Sequence, residues 1–266
     1  GLAATNAILQ NRTARTALLC TEGHSQILLI REGHKVDVHN FRVDYPEPYV
    51  PQTLTFEVRE RVLSDGTVRV ALDEERLRET IRLVEGRDVE AIAVSYLWSI
   101  TNPAHELRTA EIISEMLPDM PVTLGHRISP SIREYRRTST AAIDASLKTV
   151  VGRNLNRINE RLSLAGFDGT LSVITSTGGR VSVEEALSSP VNLCLSGPSG
   201  APVASKWLCG REDLVSPDTI TGDMGGTSFD VSLCIGGENL IHRHGKIGGH
   251  IFAVPSAEIL TIGAAF

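Results

Sequence analysis

The densest chemistry in this sequence lies in one run of eight residues, Asp223-Met224-Gly225-Gly226-Thr227-Ser228-Phe229-Asp230. Two glycines in a tight turn let backbone N–H groups approach a phosphate closely and donate to it. Thr227 and Ser228 add hydroxyl donors. Gly225, Gly226, Thr227 and Ser228 are therefore the expected phosphate-binding residues. Asp223 and Asp230 repel phosphate and need another task. They fit one that holds Mg2+ through its waters or orients an attacking water. Asp223 is the expected metal residue, and Asp223 with Asp230 the expected catalytic pair. The plain alternative for the same residues is a β-hairpin whose glycine turn is capped by aspartates.

Two further small-residue loops, Thr175-Ser-Thr-Gly-Gly179 and Ser196-Gly-Pro-Ser-Gly200, end apolar runs in the same way. Other residues carry chemistry less decisively. His242 and His244 share one face of a strand at spacing two, with His250 beyond them. They suit metal ligation, or an exposed polar strand or subunit contact. His105-Glu106 stands at a helix start, where Glu106 complements the helix dipole; a catalytic or interface role for His105 is the alternative. Arg133-Glu134-Tyr135-Arg136-Arg137 reads as a solvated or salt-bridged helix face, with binding of an anionic intermediate as the sharper option. Thr5 and Asn6, at another helix start, are candidates for lining a substrate site. Cys20, Cys194 and Cys234 lie in apolar surroundings, and no C-x-x-C pair occurs, so the four cysteines read as reduced thiols rather than zinc ligands or disulfides.

The elements that must position these residues alternate along the chain. Helices are expected over 3–11, 25–31, 74–86 (capped by Asp73), 102–116, from 129, over 138–164, over 183–188 (capped by Ser182) and over 201–209. In the helix at 102–116, Asn102 is the expected N-cap and Pro103 the first helical residue. Strands are expected over 14–21, 53–62, 67–71, 89–97, 121–124, 170–174, 191–195, 219–222 and 231–235, with Asp65-Gly66 as a hairpin turn. The proline-rich stretch 33–52 is loop. Strands and helices in alternation give an α/β fold. In such folds ligands gather where loops leave the carboxyl ends of strands.

The Asp223–Asp230 run resembles the second phosphate loop of the actin, hexokinase and Hsp70 superfamily. Six blocks in order are similar to one family, the hydantoinase A/5-oxoprolinase family. They are Gly1-Leu-Ala-Ala-Thr-Asn-Ala-Ile-Leu9, Glu57-Val-Arg-Glu-Arg-Val62, Asn102-Pro-Ala-His-Glu106, Ser129-Pro-Ser-Ile-Arg-Glu-Tyr-Arg-Arg-Thr-Ser-Thr140, Ser196-Gly-Pro-Ser-Gly-Ala201 and Asp223–Asp230. The resemblance covers nearly the whole chain. It implies a ribonuclease H-like α/β fold, with mixed sheets flanked by helices and incomplete in extent. It implies ATP and Mg2+ as cofactors and phosphoryl transfer that activates the carbonyl of a cyclic amide. It also implies a hydantoinase B-type subunit or domain as partner, a small cyclic amide or ketone as substrate, and room for a homo-oligomer. Alternatives are the ATP-binding subunit of an acetone or acetophenone carboxylase, a sugar- or acid-kinase-like enzyme, and a scaffold that binds no nucleotide. The implied division is 1–137, the rest of the family's N-terminal region, and 138–266, the start of the ATP-binding core.

Three departures qualify the resemblance. The family's first Asp-x-Gly-Gly-Thr loop has no counterpart here, Ser-Thr-Gly-Gly (176–179) stands where the family usually has Ser-Asn-Gly-Gly, and the similarity stops at Thr261–Phe266. The chain therefore reads as an interior stretch of a longer one, holding half of a nucleotide cleft.

Composition sets the remaining bounds. With 266 residues, 41% of them apolar and 22% charged, the chain is long enough to bury a core without staples. Twenty-six Lys+Arg against 32 Asp+Glu leave a net charge of −6, and aromatics are 5%, so nucleic acid is not an expected partner. The longest nearly uncharged apolar stretch, Ala91–Ile100, is about half a membrane span. No membrane association and a cytoplasmic location are expected.

Overall fold

The computed structural model describes residues 2–33, 39, 40, 42, 43, 47–211, 217–225 and 228–263. The chain divides into two compact units: residues 11–150 with 246–253, and residues 1–10 with 151–245 and 254–266. Helix α1 (Leu2–Leu9) belongs to the second of these.

The first unit is built on a four-stranded parallel sheet. Its strands are β1 (Thr16–Thr21), β2 (Thr55–Val58), β5 (Ala91–Ser95) and β6 (Val122–Leu124), in the order β2-β1-β5-β6. Every residue of β1 and β5 is buried. Burial on both faces is why these two segments read as unbroken apolar runs instead of alternating ones. The short helix α2 (Ile27–Ile30) follows β1, and the small hairpin β3 (Arg61–Val62) and β4 (Val68–Val70) follows β2. The expected strand over 53–62 is thus split in two, with Arg59 and Glu60 between its halves.

Helices α3 (Glu74–Glu85) and α4 (Ala104–Met116) pack the sheet through Leu77, Ile81, Val84, Ile112 and Ile113. Asp73 caps α3 as expected, its carboxylate accepting from Arg76 N at 3.2 Å. At α4 the start is shifted by one residue. Pro103 holds the cap position with no side-chain bond, while Asn102 Oδ1 accepts from Ala104 N (3.1 Å) and its Nδ2 donates to Gly66 O (2.9 Å). The asparagine ties the hairpin turn to the helix, a task that sequence spacing does not reveal. The short helix α5 (Gly125–Ile128) follows β6 and was not expected. Helix α6 (Glu134–Leu164) is continuous and begins at Glu134, not at Ser129-Pro130; Arg133, just before it, has φ 90°.

The second unit carries α1, the later part of α6, the hairpin β7 (Ser172–Ile174) and β8 (Arg180–Ser182), helix α7 (Val183–Ser188) and helix α8 (Gly200–Arg211). Ser182 caps α7 as expected, accepting from Glu185 N at 3.1 Å. The expected strand at 191–195 is instead a 3-10 turn over Pro190–Leu193. Pro190 at its first position, with no N–H to give a ladder, favours the turn over the strand that Val191 and Leu193 suggest.

Beyond α8 come β9 (Thr219–Met224), β10 (Ser228–Ile235), β11 (Glu238–Asn239), β12 (Ile241–His242), β13 (Gly245–Ile247), β14 (His250–Phe252), β15 (Ser256–Ala257) and β16 (Ile259–Gly263). β10 pairs antiparallel with β9, β11 and β16. Helix α8 packs against β9 and β10, and Ser232 and Cys234 are buried. Residues of the opposite parity, Ile220, Met224, Leu233, Ile235 and Leu260, are exposed; Ile220 keeps 76% of its accessible surface. One face of this sheet is covered and the other is bare and apolar.

Candidate functional site

The two aspartates of the glycine run are not loop residues. β9 extends through Asp223 and Met224, and β10 starts at Ser228, so Asp223 and Asp230 lie on strands. The register sets Asp223 directly opposite Asp230, and Met224 opposite Phe229. Directly opposed residues of an antiparallel pair have Cβ atoms about 4.5–5.5 Å apart on one face. By parity that is the face of Ser232 and Cys234, against which α8 packs. Asp223 is exposed and Asp230 partly buried. Like charges placed so destabilise a hairpin unless a cation answers them. Two opposed carboxylates are a donor set suited to a divalent cation, and Gly225 follows directly on β9. Gly226 and Thr227 lie outside the described residues, and Ser228 is the first residue of β10.

The other two small-residue loops meet each other. Ser199 Oγ donates to Ser196 O (2.8 Å) inside its own loop and to Thr175 O (2.9 Å) in the neighbouring one. Gly178 lies between them with φ +84°. A β-carbon there would stand 2.9 Å from Ser199 O and inside contact distance of Val203. Only glycine meets both demands, the positive φ and the close approach. Ser176 Oγ donates to Pro255 O (2.8 Å), anchoring the first loop further. Helix α8 leaves the second loop and packs on β9, the strand that bears Asp223.

Thr5 lies near these loops but is engaged: its Oγ1 accepts from Leu195 N at 3.0 Å, and Leu195 has φ 59°. Asn6 is exposed. His242 Nε2 stands 3.3 Å from Glu258 Oε1 in an exposed pair. His250 belongs to the other unit, where its ring meets Tyr49 edge-on with centroids 5.0 Å apart. Burial, with Arg31 nearby, holds its pKa below the ordinary histidine value. Among the described residues no three His, Cys, Asp or Glu side chains gather as a metal site.

In the first unit the structure assembles a polar cluster that the sequence does not announce. Glu106, expected as a dipole partner in the first turn of α4, is wholly buried. It accepts from Tyr96 N (2.9 Å), His126 N (3.0 Å) and His126 Nδ1 (2.6 Å), joining β5, α4 and α5. His105 pairs at 2.8 Å with the buried Glu60, which also accepts from Thr21 Oγ1. Thr21 Oγ1 in turn accepts from Leu97 N (3.0 Å).

Arg137 corrects the reading of 133–137 as a solvated face. It is 1% exposed and donates to Ser131 O (2.8 Å) and Tyr96 O (3.3 Å), and burial lowers its pKa. Arg136 does make the expected salt bridge, a two-point pair with Glu32 at 2.6 and 3.0 Å. The cluster lies at the carboxyl ends of β1 and β5, the customary ligand end of a parallel sheet. No spacing within the sequence connects Glu60, His105, Glu106, His126 and Arg137; only the parallel order of the sheet does.

None of the four cysteines forms a disulfide, and Cys20, Cys194 and Cys234 are buried. Burial, reinforced by Glu57 and Glu60, pushes the Cys20 thiol up to about 12. Among the described residues no helix is long and apolar enough to cross a membrane.

Comparison with known proteins adds the family. The hydantoinase/oxoprolinase N-terminal region matches residues 3–117, and the hydantoinase/oxoprolinase domain matches residues 137–265. The caprolactamase subunit alpha of Pseudomonas jessenii is 36% identical over 98% of this chain and 38% of its own length. The acetophenone carboxylase gamma subunit of Aromatoleum aromaticum is 34% identical over 87% of this chain and 33% of its own.

Two solved structures share the fold. The crystal structure of ATP-dependent caprolactamase from Pseudomonas jessenii matches with TM-score 0.88 at 36% identity, over 98% of this chain and 38% of that one. The nucleotide-free structure of acetone carboxylase matches with TM-score 0.81 at 25% identity, over 99% of this chain and 38% of that one. The expected α/β class of actin-like type, a parallel sheet with flanking helices, therefore stands. The chain spans about 38% of the length of these caprolactamase and acetone carboxylase relatives. On the two matched regions and this likeness, the chain belongs to the hydantoinase/oxoprolinase family.

Proposed function

We propose that this chain contributes one phosphate loop and its metal-binding aspartate to an ATP-dependent cyclic amide hydrolase. The observation that carries the reading is the in-register pair Asp223–Asp230, which brackets the sequence Gly225-Gly226-Thr227-Ser228. Asp223, the more exposed of the two, would hold Mg2+ through water, and Asp230 would share that charge or orient the attacking water. Gly225, Gly226, Thr227 and Ser228 would donate to phosphate oxygens. ATP supplies the phosphoryl group that activates the amide carbonyl, and Mg2+ neutralises the charge on the phosphates. What the chain itself does is bind and orient. Its aspartates fix the cation side of the phosphates, and its turn fixes the oxygen side.

Caprolactamase and 5-oxoprolinase among the relatives favour a cyclic amide substrate. The acetophenone and acetone carboxylase subunits favour a second reading, in which the same loop serves ketone carboxylation. Several relatives are subunits, and a B-type subunit or domain is the proposed partner. The proposed boundary between the N-terminal region and the ATP-binding core falls at 137/138, and the proposed location is the cytoplasm.

The test is calorimetry of Mg-ATP binding to the full-length protein. Binding that is lost in Asp223→Ala, with an unchanged far-UV spectrum, supports the site; unaltered binding in that variant refutes it. Turnover of ATP with a lactam but not with a ketone and bicarbonate selects the hydrolase; the reverse selects the carboxylase.

A further inference from the structure

Leu195 holds a backbone conformation that its side chain opposes. Its φ of 59° lies in the left-handed region, where the β-carbon of an L-residue crowds the following carbonyl. Such a residue persists only where its surroundings hold it. Here the hold is one side chain of α1: Thr5 Oγ1 accepts from Leu195 N at 3.0 Å. The next residue opens the Ser196–Gly200 loop. Ser196 N donates back to Leu193 O (3.3 Å), and Ser196 O accepts from Ser199 Oγ (2.8 Å). The direction in which that loop leaves the 3-10 turn is therefore set at Leu195.

The loop ends in α8, and a cavity of about 340 Å3 shows how α8 runs over the sheet. Lys206 and Cys209, in the later half of α8, line it together with Thr219 at the start of β9 and Cys234 near the end of β10. Lys206 also pairs with Glu238 of β11 at 3.0 Å. The end of the helix thus lies at the start of β9, and its first turn points toward the other end of that strand, where Asp223 stands. Twelve helical residues span about 18 Å and six strand residues about 20 Å, so the Ser196–Gly200 loop comes level with the Asp223–Asp230 pair.

We propose that Thr5 is a positioning residue for the Mg-ATP site, an inference that rests on the function proposed above. The Thr5–Leu195 bond offsets the cost of the left-handed backbone. Leu195 so held delivers Ser196–Gly200 against its neighbour, where Ser199 Oγ reaches Thr175 O, and seats the first turn of α8 beside the two aspartates. Thr5 itself contacts no phosphate, because its acceptor is spent on Leu195 N. A strained backbone held from a separate element is a known way of pre-organising a binding site. The prediction that separates this role from plain packing is coupling. A glycine at 195 takes the left-handed conformation without the steric cost, so the site should then depend far less on Thr5.

The test is a double-mutant cycle in the full-length protein, read by Mg-ATP calorimetry and by amide exchange at Leu195 without nucleotide. Thr5→Val keeps the shape and removes the acceptor. It should weaken Mg-ATP binding at least tenfold and speed exchange at Leu195 at least tenfold, while Thr5→Ser matches wild type. In a Leu195→Gly background the same Thr5→Val change should weaken binding threefold or less. Wild-type affinity in Thr5→Val overturns the proposal, and so does an equal loss in both backgrounds. If Thr5→Val does not fold, recovery of folding and binding in the Leu195→Gly background shows the same coupling, and failure in both backgrounds overturns it. Asp223→Ala should abolish binding yet leave exchange at Leu195 unchanged. Should wild type itself bind no Mg-ATP, the functional reading falls, whereas unchanged exchange at Leu195 in Thr5→Val overturns the hold of Thr5 on the loop.

Discussion

Replacing Gly178 by alanine tests whether the two small-residue loops are locked together as the structure places them. Two penalties add at this position. The first is conformational: φ is +84°, and holding an L-residue in the left-handed region costs roughly 1–2 kcal/mol. The second is steric: the new β-carbon stands 2.9 Å from Ser199 O and presses on Val203. Val203 is partly exposed and can turn away. Ser199 O cannot, because the Ser199 side chain is fixed at its other end by Thr175 O and Ser196 O. Overpacking of this kind costs about 1–3 kcal/mol, so Gly178→Ala should lose about 2–5 kcal/mol in all.

Gly166 provides the control, because its φ is +78° and a β-carbon there meets nothing within 4 Å. Gly166→Ala should therefore lose only the conformational part, about 1–2 kcal/mol. Urea unfolding, followed by circular dichroism and by emission from Trp207 one turn beyond Val203 on α8, measures both variants. Adding Val203→Ala to Gly178→Ala should restore part of the loss and not all of it, since the carbonyl contact remains. If Gly178→Ala costs no more than Gly166→Ala, the loops do not approach each other as described.

The remaining predictions concern charge and burial. Asp223→Asn, at the exposed member of the pair, removes a like-charge opposition and should stabilise the Mg2+-free protein by about 0.2–1 kcal/mol at low salt; a thermal melt in EDTA that shows destabilisation refutes the register. Glu106→Ala strips a buried acceptor from Tyr96 N and from both donors of His126. It should cost about 3–5 kcal/mol, a fall of roughly 10 °C in Tm, whereas Glu106→Gln keeps an acceptor and loses less. Cys20 should resist iodoacetamide at pH 8 until urea unfolds the chain, while the partly exposed Cys209 reacts. The folded Cys20 pKa, about 12, lies above its unfolded value of 9.0, so its contribution is intact below pH 9 and is lost as pH rises toward 12. Wild type should lose stability relative to Cys20→Ala across that interval in pH-dependent urea titrations.

What the sequence shows and what it hides divide along a physical line. Asp73 before Glu74–Glu85 and Ser182 before Val183–Ser188 were legible because a cap acts on a backbone group two or three residues away. β1 and β5 were legible because burial on both faces leaves an unbroken apolar run. The strand expected at 191–195 failed because periodicity cannot weigh one proline against two apolar residues, and Pro190 decided for a turn. The split between Val58 and Arg61 escaped for the opposite reason. Alternation continues through Arg59 and Glu60 and sets Glu60 on the face of the buried Val58 and Val62, but it shows neither the break in the strand nor the partners, His105 and Thr21, that Glu60 meets there.

The candidate site repeats this division at the level of chemistry. The glycines and aspartates of 223–230 were legible as residue types suited to phosphate and a divalent cation. Their arrangement was not, because the sequence placed both aspartates in a loop, where side-chain direction is undetermined. On paired strands direction follows from register. An odd spacing of seven residues across the turn sets Asp223 opposite Asp230, whereas slipping the pairing by one residue would turn one carboxylate to the bare apolar face. Burial of Ser232 and Cys234 on the covered side fixes which way β10 faces, and pairing with β10 then fixes which way β9 faces. The spacing of the aspartates and the apolar pattern of their strands are therefore a single constraint, and a substitution that shifts the β9–β10 pairing should abolish cation binding without touching either carboxylate.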